Sequence, residues 1–182
     1  MTREPSPCHL AGCANGNMLM KGMRELDKKI GIRFQFEDYD KHFAKIFEDI
    51  NIDKYDWYVT NSEIIYFNEK IKRADSEFLQ PAIYKGKIFS EQIDLFPYYI
   101  IHARILAVPE GMSLHPEEII DYDGFCNSSC EIALLCADCY VDLYAKRENI
   151  VNVIAKSCKK YYGNKLSFIT EKDDGRTSFF IG

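Results

Sequence analysis

The sequence contains no long uninterrupted run of apolar residues. A helix that crosses a membrane needs about 20 of them in succession, so no membrane-spanning helix is predicted. Long runs of charge of one sign are missing as well, and the net charge is −5. Proteins that bind nucleic acid or anionic membrane surfaces usually carry a basic patch. We therefore expect neither nucleic acid nor a membrane among the partners, and a cytoplasmic location.

The motifs of several enzyme classes are also missing. The sequence has no glycine-rich phosphate loop, no G-x-S-x-G nucleophile motif, no H-E-x-x-H zinc motif and no EF-hand calcium loop. Asp173-Asp174-Gly175 lacks the regular acidic spacing of a calcium site and is typical of a turn. Because no nucleophile can be paired with a base, we predict no catalytic residues and no cofactor.

The chain has seven cysteines, and four of them lie close together in the sequence: Cys126, Cys130, Cys136 and Cys139. Structural zinc sites usually separate two close cysteine pairs by roughly a dozen residues, whereas only five residues separate the two pairs here. Residues 131–137 have the apolar pattern of a buried strand. We therefore predict buried thiols in a reducing compartment and no metal site, with zinc as the alternative.

One pattern, a strand followed by a helix and a hairpin, occurs twice, over residues 31–68 and 140–181. In the first copy, apolar residues alternate along a strand and then recur at helical spacing; these residues are Ile32, Phe34, Phe36, Phe43, Ile46, Phe47 and Ile50. A second alternating run contains Trp57, which we expect to pack inward against Phe43 or Phe47. Asn61-Ser62 is then predicted to turn the chain into a hairpin.

The second copy follows the same order. Its strand alternates apolar and polar residues, with Val141, Leu143 and Ala145 on the apolar side. An apolar stripe that ends at Cys158 predicts a helix terminated by Gly163, a residue suited to the left-handed cap. The final hairpin is predicted to turn at Asp173-Asp174-Gly175 and to close with residues 177–181.

These patterns predict an α+β protein with a largely antiparallel sheet, built from two related strand-helix-hairpin (βαββ) halves with two principal helices on one face. Residues 23–182 are expected to form a single domain in which residues 69–139 join the halves. The apolar residues of 69–96 indicate packing over a sheet face or edge, or a lid over a pocket. Residues 1–22 are predicted to be a disordered extension. Chance recurrence of a common pattern is the alternative to duplication.

The strongest predicted strand covers residues 97–109, which are apolar on both faces, so we expect this strand at the centre of the sheet. His102 and Arg104 interrupt the apolar pattern. Alternation along the strand places them on one face with Tyr98, and together they are predicted to bind an anionic ligand through a carboxylate or phosphate. The alternatives are that this face meets solvent locally, or that a Glu or Asp on a neighbouring strand pairs with the two residues.

Four short blocks carry a resemblance to a known family: Tyr-Tyr-Ile-Ile, Asp-Tyr-Asp-Gly-Phe-Cys-Asn-Ser-Ser-Cys-Glu, Leu-Leu-Cys-Ala-Asp-Cys-Tyr-Val-Asp-Leu-Tyr and Glu-Lys-Asp-Asp-Gly-Arg-Thr, in this order along the chain. From about residue 30 to the end, the chain is similar to a family of small bacterial proteins known only as a domain of unknown function. The resemblance implies a bacterial or phage cytosolic origin. It brings no activity, ligand or catalytic residue with it.

The paired modules are also similar in architecture to small-molecule-binding domains related to gyrase inhibitors and multidrug-sensing regulators, in which a ligand lies between the halves. No motif is shared, so this similarity concerns the fold alone. We therefore interpret the chain as a non-catalytic binding or interaction protein with an unknown protein partner. The alternative is a small-molecule-binding protein that holds an anionic ligand in the cleft between the two halves, and an enzyme is the third hypothesis.

Overall fold

An antiparallel sheet of eight strands forms the centre of the described part of the chain. The computed structural model describes residues 28–36, 38–68, 73–75 and 78–181. The extension predicted over residues 1–22 lies outside the described residues. The strands are β1 (Lys29–Gln35), β2 (Tyr55–Asn68), β3 (Arg73–Asp75), β4 (Ala82–Lys85), β5 (Tyr98–Pro109), β6 (Ile132–Ala137), β7 (Tyr140–Ala145) and β8 (Ser167–Thr170).

Four α-helices accompany the sheet in the described ranges: α1 (His42–Ile46), α2 (Gly86–Ile93), α3 (Tyr122–Asn127) and α4 (Glu148–Tyr162). Single 3₁₀ turns lie at Ile52–Lys54, Pro116–Glu118 and Gly163–Lys165. None of these helices is long and apolar enough to cross a membrane. Helix α4 ends where the sequence predicted, because Gly163 adopts a φ of 60° that a residue with a side chain rarely takes.

The strands follow the order β3-β2-β5-β6-β7-β1-β8, and β4 pairs with β2 beside β3. All of these pairings are antiparallel. The predicted α+β class and antiparallel sheet are therefore confirmed. The strand predicted to be central, β5, lies between β2 and β6. Both of its faces are apolar because a hydrophobic core packs against each side of the sheet.

Three helices cover one face of the sheet, named the helix face here. Helix α4 buries the predicted stripe, which comprises Ile150, Val151, Ile154, Ala155 and Cys158. Helix α1 adds Phe43 and Ile46 to the same core. The two predicted helices thus share a face. Helix α2, which the sequence did not predict, adds Phe89 and Ile93, so residues 69–96 contribute a third covering element.

Trp57, the only tryptophan, is buried on the helix face, with 1% of its surface exposed. Its ring centroid lies 4.8 Å from that of Phe47, which confirms the predicted inward packing, and 4.4 Å from that of Phe89, on which it stacks. Its Nε1 donates a hydrogen bond to the carbonyl oxygen of Ile52 at 3.1 Å. A Cβ at Gly86 would lie 2.4 Å from this oxygen, so only glycine lets α2 begin so close to the 3₁₀ turn.

The opposite face, named the strap face, is covered by α3 and by residues 171–181, which we name the strap. Phe179 of the strap is buried, and its ring centroid lies 4.8 Å from that of Tyr144 and 6.1 Å from that of Phe125. The amide of Phe179 donates to the carbonyl oxygen of Ile120 at 2.7 Å. The strap therefore crosses the sheet as an irregular segment held by an aromatic cluster.

Both predicted hairpins are wrong. Asn61 and Ser62 lie inside β2, a continuous strand of 14 residues, because β5 provides a pairing partner along most of its length. Residues 177–181 form no strand beside β8, which pairs only with β1 among the described strands. Burial of Phe179 on the strap face holds these residues over the sheet instead.

The two predicted halves do not occupy separate parts of the sheet. Strand β1 of the first predicted half lies between β7 and β8, which both belong to the second. Three strands separate β1 from β2, the other long strand of the first half. Duplication of the halves stays a prediction. The register between β1 and β7 places Arg33 opposite Asp142, so charged residues from both predicted halves meet on the strap face.

Two one-residue bulges interrupt the pairing of β2 with β5 and change which side chains face the helices. The bulged residue is Thr60 in β2 and Ile101 in β5. A bulge reverses the alternation of side chains beyond it. As a result, Tyr98 faces the helix-face core, whereas His102 and Arg104 face the strap.

Candidate functional site on the strap face

His102 and Arg104 lie two residues apart on the strap face, but Tyr98 does not join them. The hydroxyl of Tyr98 accepts a hydrogen bond from the amide of Phe43 at 2.7 Å, inside the helix-face core. Burial raises the pKa of Tyr98 well above its usual value. The prediction that Tyr98 shares a face with the other two residues is therefore wrong, since the bulge at Ile101 separates them. Ligand binding by these residues stays a prediction.

Arg104 is a buried cation, 4% exposed, whose hydrogen-bond partners are all neutral. Its Nη1 donates to the hydroxyl of Thr60 at 3.0 Å, and its Nη2 donates to the carbonyl oxygens of Pro116 at 3.0 Å and Ile119 at 2.5 Å. The ring of Phe180, in the strap, lies 5.6 Å from the guanidinium carbon. No described carboxylate pairs with Arg104, and its Nε lacks a partner, so burial lowers its pKa. These bonds fasten the loop before α3 to the sheet.

We expect Arg104→Met to lower the free energy of unfolding by about 2 kcal/mol, because the buried carbonyl oxygen of Ile119 and the half-buried one of Pro116 would lose their donor. Urea unfolding followed by circular dichroism measures this difference. Arg147→Met is the matched control, since the Arg147 side chain is 57% exposed and pairs with Glu131, and it should cost less than about 1 kcal/mol. Equal stability of the Arg104 variant and the wild type would show that these bonds do not stabilise the loop.

His102 contacts two polar residues of β2. Its Nε2 lies 3.1 Å from Oδ1 of Asn61, and its Nδ1 lies 3.8 Å from Oε2 of Glu63. The Nδ2 of Asn61 in turn donates to the carbonyl oxygen of Ile181 at 2.5 Å. A carboxylate on a neighbouring strand thus faces His102, which is one of the alternatives that the sequence left open. Through Asn61, His102 is also linked to the end of the strap.

The described cysteines have different environments. Cys130 and Cys136 are buried as predicted, whereas Cys126 is exposed and Cys139 is half-buried. The described residues contain no group of three or more side chains positioned to bind a metal ion. Burial raises the pKa of Cys130 to about 12 and raises that of Cys136 further. Both thiols therefore stay protonated near neutral pH, which makes them poor nucleophiles.

We expect a thiol reagent to label Cys126 quickly and to label Cys130 and Cys136 only after unfolding, because the last two have no access to solvent. Mass spectrometry of labelled peptides, with and without denaturant, measures this order. Elemental analysis of protein purified without chelator should find well below one zinc per chain. One tightly held zinc, lost together with the fold on chelation, would contradict the prediction drawn from the cysteine spacing.

A second group of charged residues lies where β1, β7 and the strap meet. The side chain of Asp142 is 5% exposed. Arg33 donates to both of its oxygens, from Nε to Oδ1 at 2.5 Å and from Nη2 to Oδ2 at 2.9 Å, and Arg176 Nε donates to Oδ2 at 2.7 Å. Burial raises the pKa of Asp142, but the hydrogen bonds from the two arginines outweigh it and keep the pKa below its usual value. Asp142 therefore stays ionised and holds two guanidinium groups side by side.

Asp174 supplies the fourth charge of this group. Its Oδ1 accepts hydrogen bonds from the hydroxyl of Tyr144 at 2.8 Å and from the amide of Arg176 at 3.1 Å. Burial and the bond to Asp174 raise the pKa of Tyr144 above its usual range. Because two arginines are balanced by two aspartates, the group as a whole is neutral. The bond from Tyr144 fastens the first part of the strap to β7.

An open cleft of about 400 Å³ lies beside this group, lined by Arg33, Asp142, Gly175, Arg176, Thr177 and Ser178. The Nε atoms of both arginines are bonded to Asp142. Among the described residues, Arg33 Nη1 and Arg176 Nη2 have no hydrogen-bond partner, and the hydroxyls of Thr177 and Ser178 donate no hydrogen bond. The cleft therefore offers free donors of the kind that bind carboxylates and phosphates.

Residues 29–180 match a protein family whose description is "Protein of unknown function (DUF2691)". The chain belongs to this family. Uncharacterized protein YncE of Bacillus subtilis (strain 168) is similar to it, with 29% identity over 154 residues that cover 83% of this chain and 98% of the relative. No solved structure matches the chain. The resemblance to a bacterial family of unknown function is thus confirmed, and function in this DUF2691 protein has to be inferred from the site.

Sequence reasoning missed the group around Asp142 in this DUF2691 protein. Arg33 and Asp142 occupy the polar side of two strands, where charged residues usually face solvent, and Arg176 follows a turn. Arg33 and Asp142 are 109 positions apart in the sequence, so only the pairing of β1 with β7 brings them together. One usable signal existed, because each of the two is a charged residue between two apolar neighbours in its strand.

Proposed function

We propose that this protein is a non-catalytic binding protein and that its ligand is a small anion held in the cleft beside Asp142. The observation that carries the proposal is a single buried carboxylate holding two guanidinium groups side by side, each with a free Nη atom. Guanidinium groups bind carboxylates and phosphates through paired N–H donors. Arg33 comes from the first predicted half and Arg176 from the second, so the proposed site draws on residues of both.

The balance of two arginines and two aspartates beside the cleft limits the kind of ligand that it can bind. Since the group is neutral before a ligand binds, affinity rests on directional hydrogen bonds and not on net electrostatic attraction. A carboxylate or phosphate in the cleft would find N–H donors on Arg33 and Arg176 and an O–H donor on Thr177. A nucleic acid gains little here, because its affinity depends on neutralising many phosphates with a basic surface. The proposal is therefore a small organic carboxylate or phosphate.

The ligand role predicted for His102 and Arg104 is less well supported than this cleft. Both Nη atoms of Arg104 already donate to protein oxygens, and His102 lies beside Asn61 and Glu63. Catalysis is also less well supported than binding. The buried thiols have raised pKa values, and no described nucleophile lies within hydrogen-bonding reach of a free base in the cleft.

Calorimetric titration with acetate and with inorganic phosphate tests the proposal. We expect at least one of them to bind the wild type and to raise its melting temperature. Arg33→Gln should weaken binding about tenfold or more, the scale for losing a charge-assisted hydrogen bond. The control is Arg147→Gln, which changes the charge equally but removes an exposed arginine paired with Glu131 outside the cleft. It should bind as the wild type does.

Two outcomes contradict the proposal. The first is that neither anion binds the folded wild-type protein or changes its melting temperature. The second is that Arg33→Gln and Arg147→Gln weaken binding to the same extent, which would indicate a general charge effect and not a site. Titrating both variants well below their melting temperatures keeps any loss of stability out of the comparison.

A further inference from the structure

A groove of about 680 Å³ lies on the helix side of the sheet, between α1 with the following 3₁₀ turn and α2. Apolar side chains form its floor: Phe47, Ile50, Ile52, Ile93 and Leu95. Phe47 and Ile93 are buried, but Leu95 is 50% exposed. Leu95 therefore extends the apolar floor to the rim of the groove, where another molecule can contact it.

Four carboxylates line the same groove, and none of its lining residues is a lysine, arginine or histidine. The four are Glu48, Asp53, Glu91 and Asp94. Glu48 pairs with Lys160 at 2.8 Å and Asp94 with Lys41 at 3.0 Å. Asp53 and Glu91 are exposed, and no described residue forms an ion pair or side-chain hydrogen bond with them. The groove therefore combines an apolar floor with two exposed carboxylates that form no ion pair within the described chain.

We propose that this groove binds an amphipathic helix of a protein partner, with aliphatic side chains against the floor and Lys or Arg beside Asp53 and Glu91. A helix presents apolar residues three and four positions apart on one side and charged residues next to them. Charge complementarity selects this partner, because an acidic helix would place like charges together and a nucleic acid would be repelled. The groove is thus a candidate binding surface for the protein partner that the sequence analysis left unidentified.

The walls of the groove are fixed by contacts already present in the free protein. The stacking of Trp57 on Phe89 holds α2 against β2, and the close approach at Gly86 holds the start of α2 against the 3₁₀ turn. Such a groove can receive a helix with little rearrangement. The groove lies on the opposite side of the sheet from the cleft beside Asp142. Helix binding in the groove and anion binding in the cleft can therefore be tested independently.

The test uses a synthetic peptide of leucine and lysine, about 14 residues long, with leucines at helical spacing. Fluorescence anisotropy of the labelled peptide measures its binding to the full chain. A peptide of the same composition in scrambled order lacks the apolar stripe, and a leucine–glutamate peptide reverses the charge. We expect the leucine–lysine helix to bind at least about tenfold more tightly than either of the other two.

Two double variants with the same change in net charge locate the binding surface. Asp53→Asn with Glu91→Gln removes the unpaired charges of the groove and should weaken binding about tenfold or more. Glu117→Gln with Glu118→Gln removes two exposed carboxylates elsewhere and should leave affinity within about twofold of wild type. Leu95→Ser should also weaken binding while the anion titration stays unchanged. Equal weakening by both double variants, equal affinity for the scrambled peptide, or no binding to the wild type would overturn the proposal.

Discussion

Replacing Trp57 with alanine should lower the free energy of unfolding by about 3–5 kcal/mol, the range for deleting a large buried aromatic side chain. The wild-type ring is 1% exposed and lies between Phe47 and Phe89, so its removal opens a cavity between β2 and two helical elements. The hydrogen bond from Nε1 to Ile52 is lost as well. Urea unfolding measures the change.

Tyr140→Ala is the control for this variant, because Tyr140 is 56% exposed and its truncation should change stability by about 0.5 kcal/mol or less. The wild-type protein should also show blue-shifted tryptophan fluorescence that moves to longer wavelength on unfolding. Emission from the folded protein at the wavelength of free tryptophan, or equal stability of the two alanine variants, would contradict the buried position of Trp57.

Asp142→Asn should lower the free energy of unfolding by roughly 3 kcal/mol, because it leaves two arginines without the carboxylate that both of them bind. This value is at the low end of the range for breaking a buried ion pair, since the side chain of Arg33 is 44% exposed and can be hydrated. Asp94→Asn is the control, as Asp94 is 72% exposed and pairs with Lys41 at the surface. Its cost should stay below about 1 kcal/mol.

The stabilisation by Asp142 should depend on pH. The pKa of Asp142 is lower in the folded protein than its usual value, so its contribution is fully present above the unfolded pKa of about 3.9. The contribution is lost as pH falls through the lowered folded pKa. The stability difference between wild type and Asp142→Asn should therefore shrink below about pH 4. A difference that stays constant down to about pH 2 would show that ionisation of Asp142 is not its source.

Patterns of period two and 3.6 predicted most of the sheet and the two principal helices, because burial on one face leaves a direct record in the sequence. They failed where tertiary pairing decided the outcome. Asn61-Ser62 has the composition of a turn, yet pairing with β5 keeps β2 extended through these residues. Helix α2 was missed because Phe89 and Ile93 are the only large apolar side chains that it buries. Two residues are too few to show helical periodicity in the sequence.

The candidate site was harder to predict than the fold, for a related reason. Alternation placed Tyr98 beside His102 and Arg104, and this inference depends on an unbroken strand. A bulge of one residue at Ile101 places Tyr98 on the opposite face of the sheet from the other two residues. No residue type in that stretch indicates a bulge. The group around Asp142 depends on a pairing between distant strands, which a single sequence does not reveal.

Gly86 gives the groove on the helix side a mechanical property. Its missing Cβ would lie 2.4 Å from the carbonyl oxygen of Ile52 and 2.5 Å from the Cα of Asp53, so any side chain here acts as a wedge between the two walls. Alanine, serine and valine at this position add side chains of increasing size. Each one should push α2 away from the 3₁₀ turn that carries Asp53, while the four carboxylate residues themselves stay unchanged. Widening the groove should change the dissociation rate of a partner bound there. The dissociation rate of a ligand beside Asp142, on the opposite face of the sheet, should stay the same.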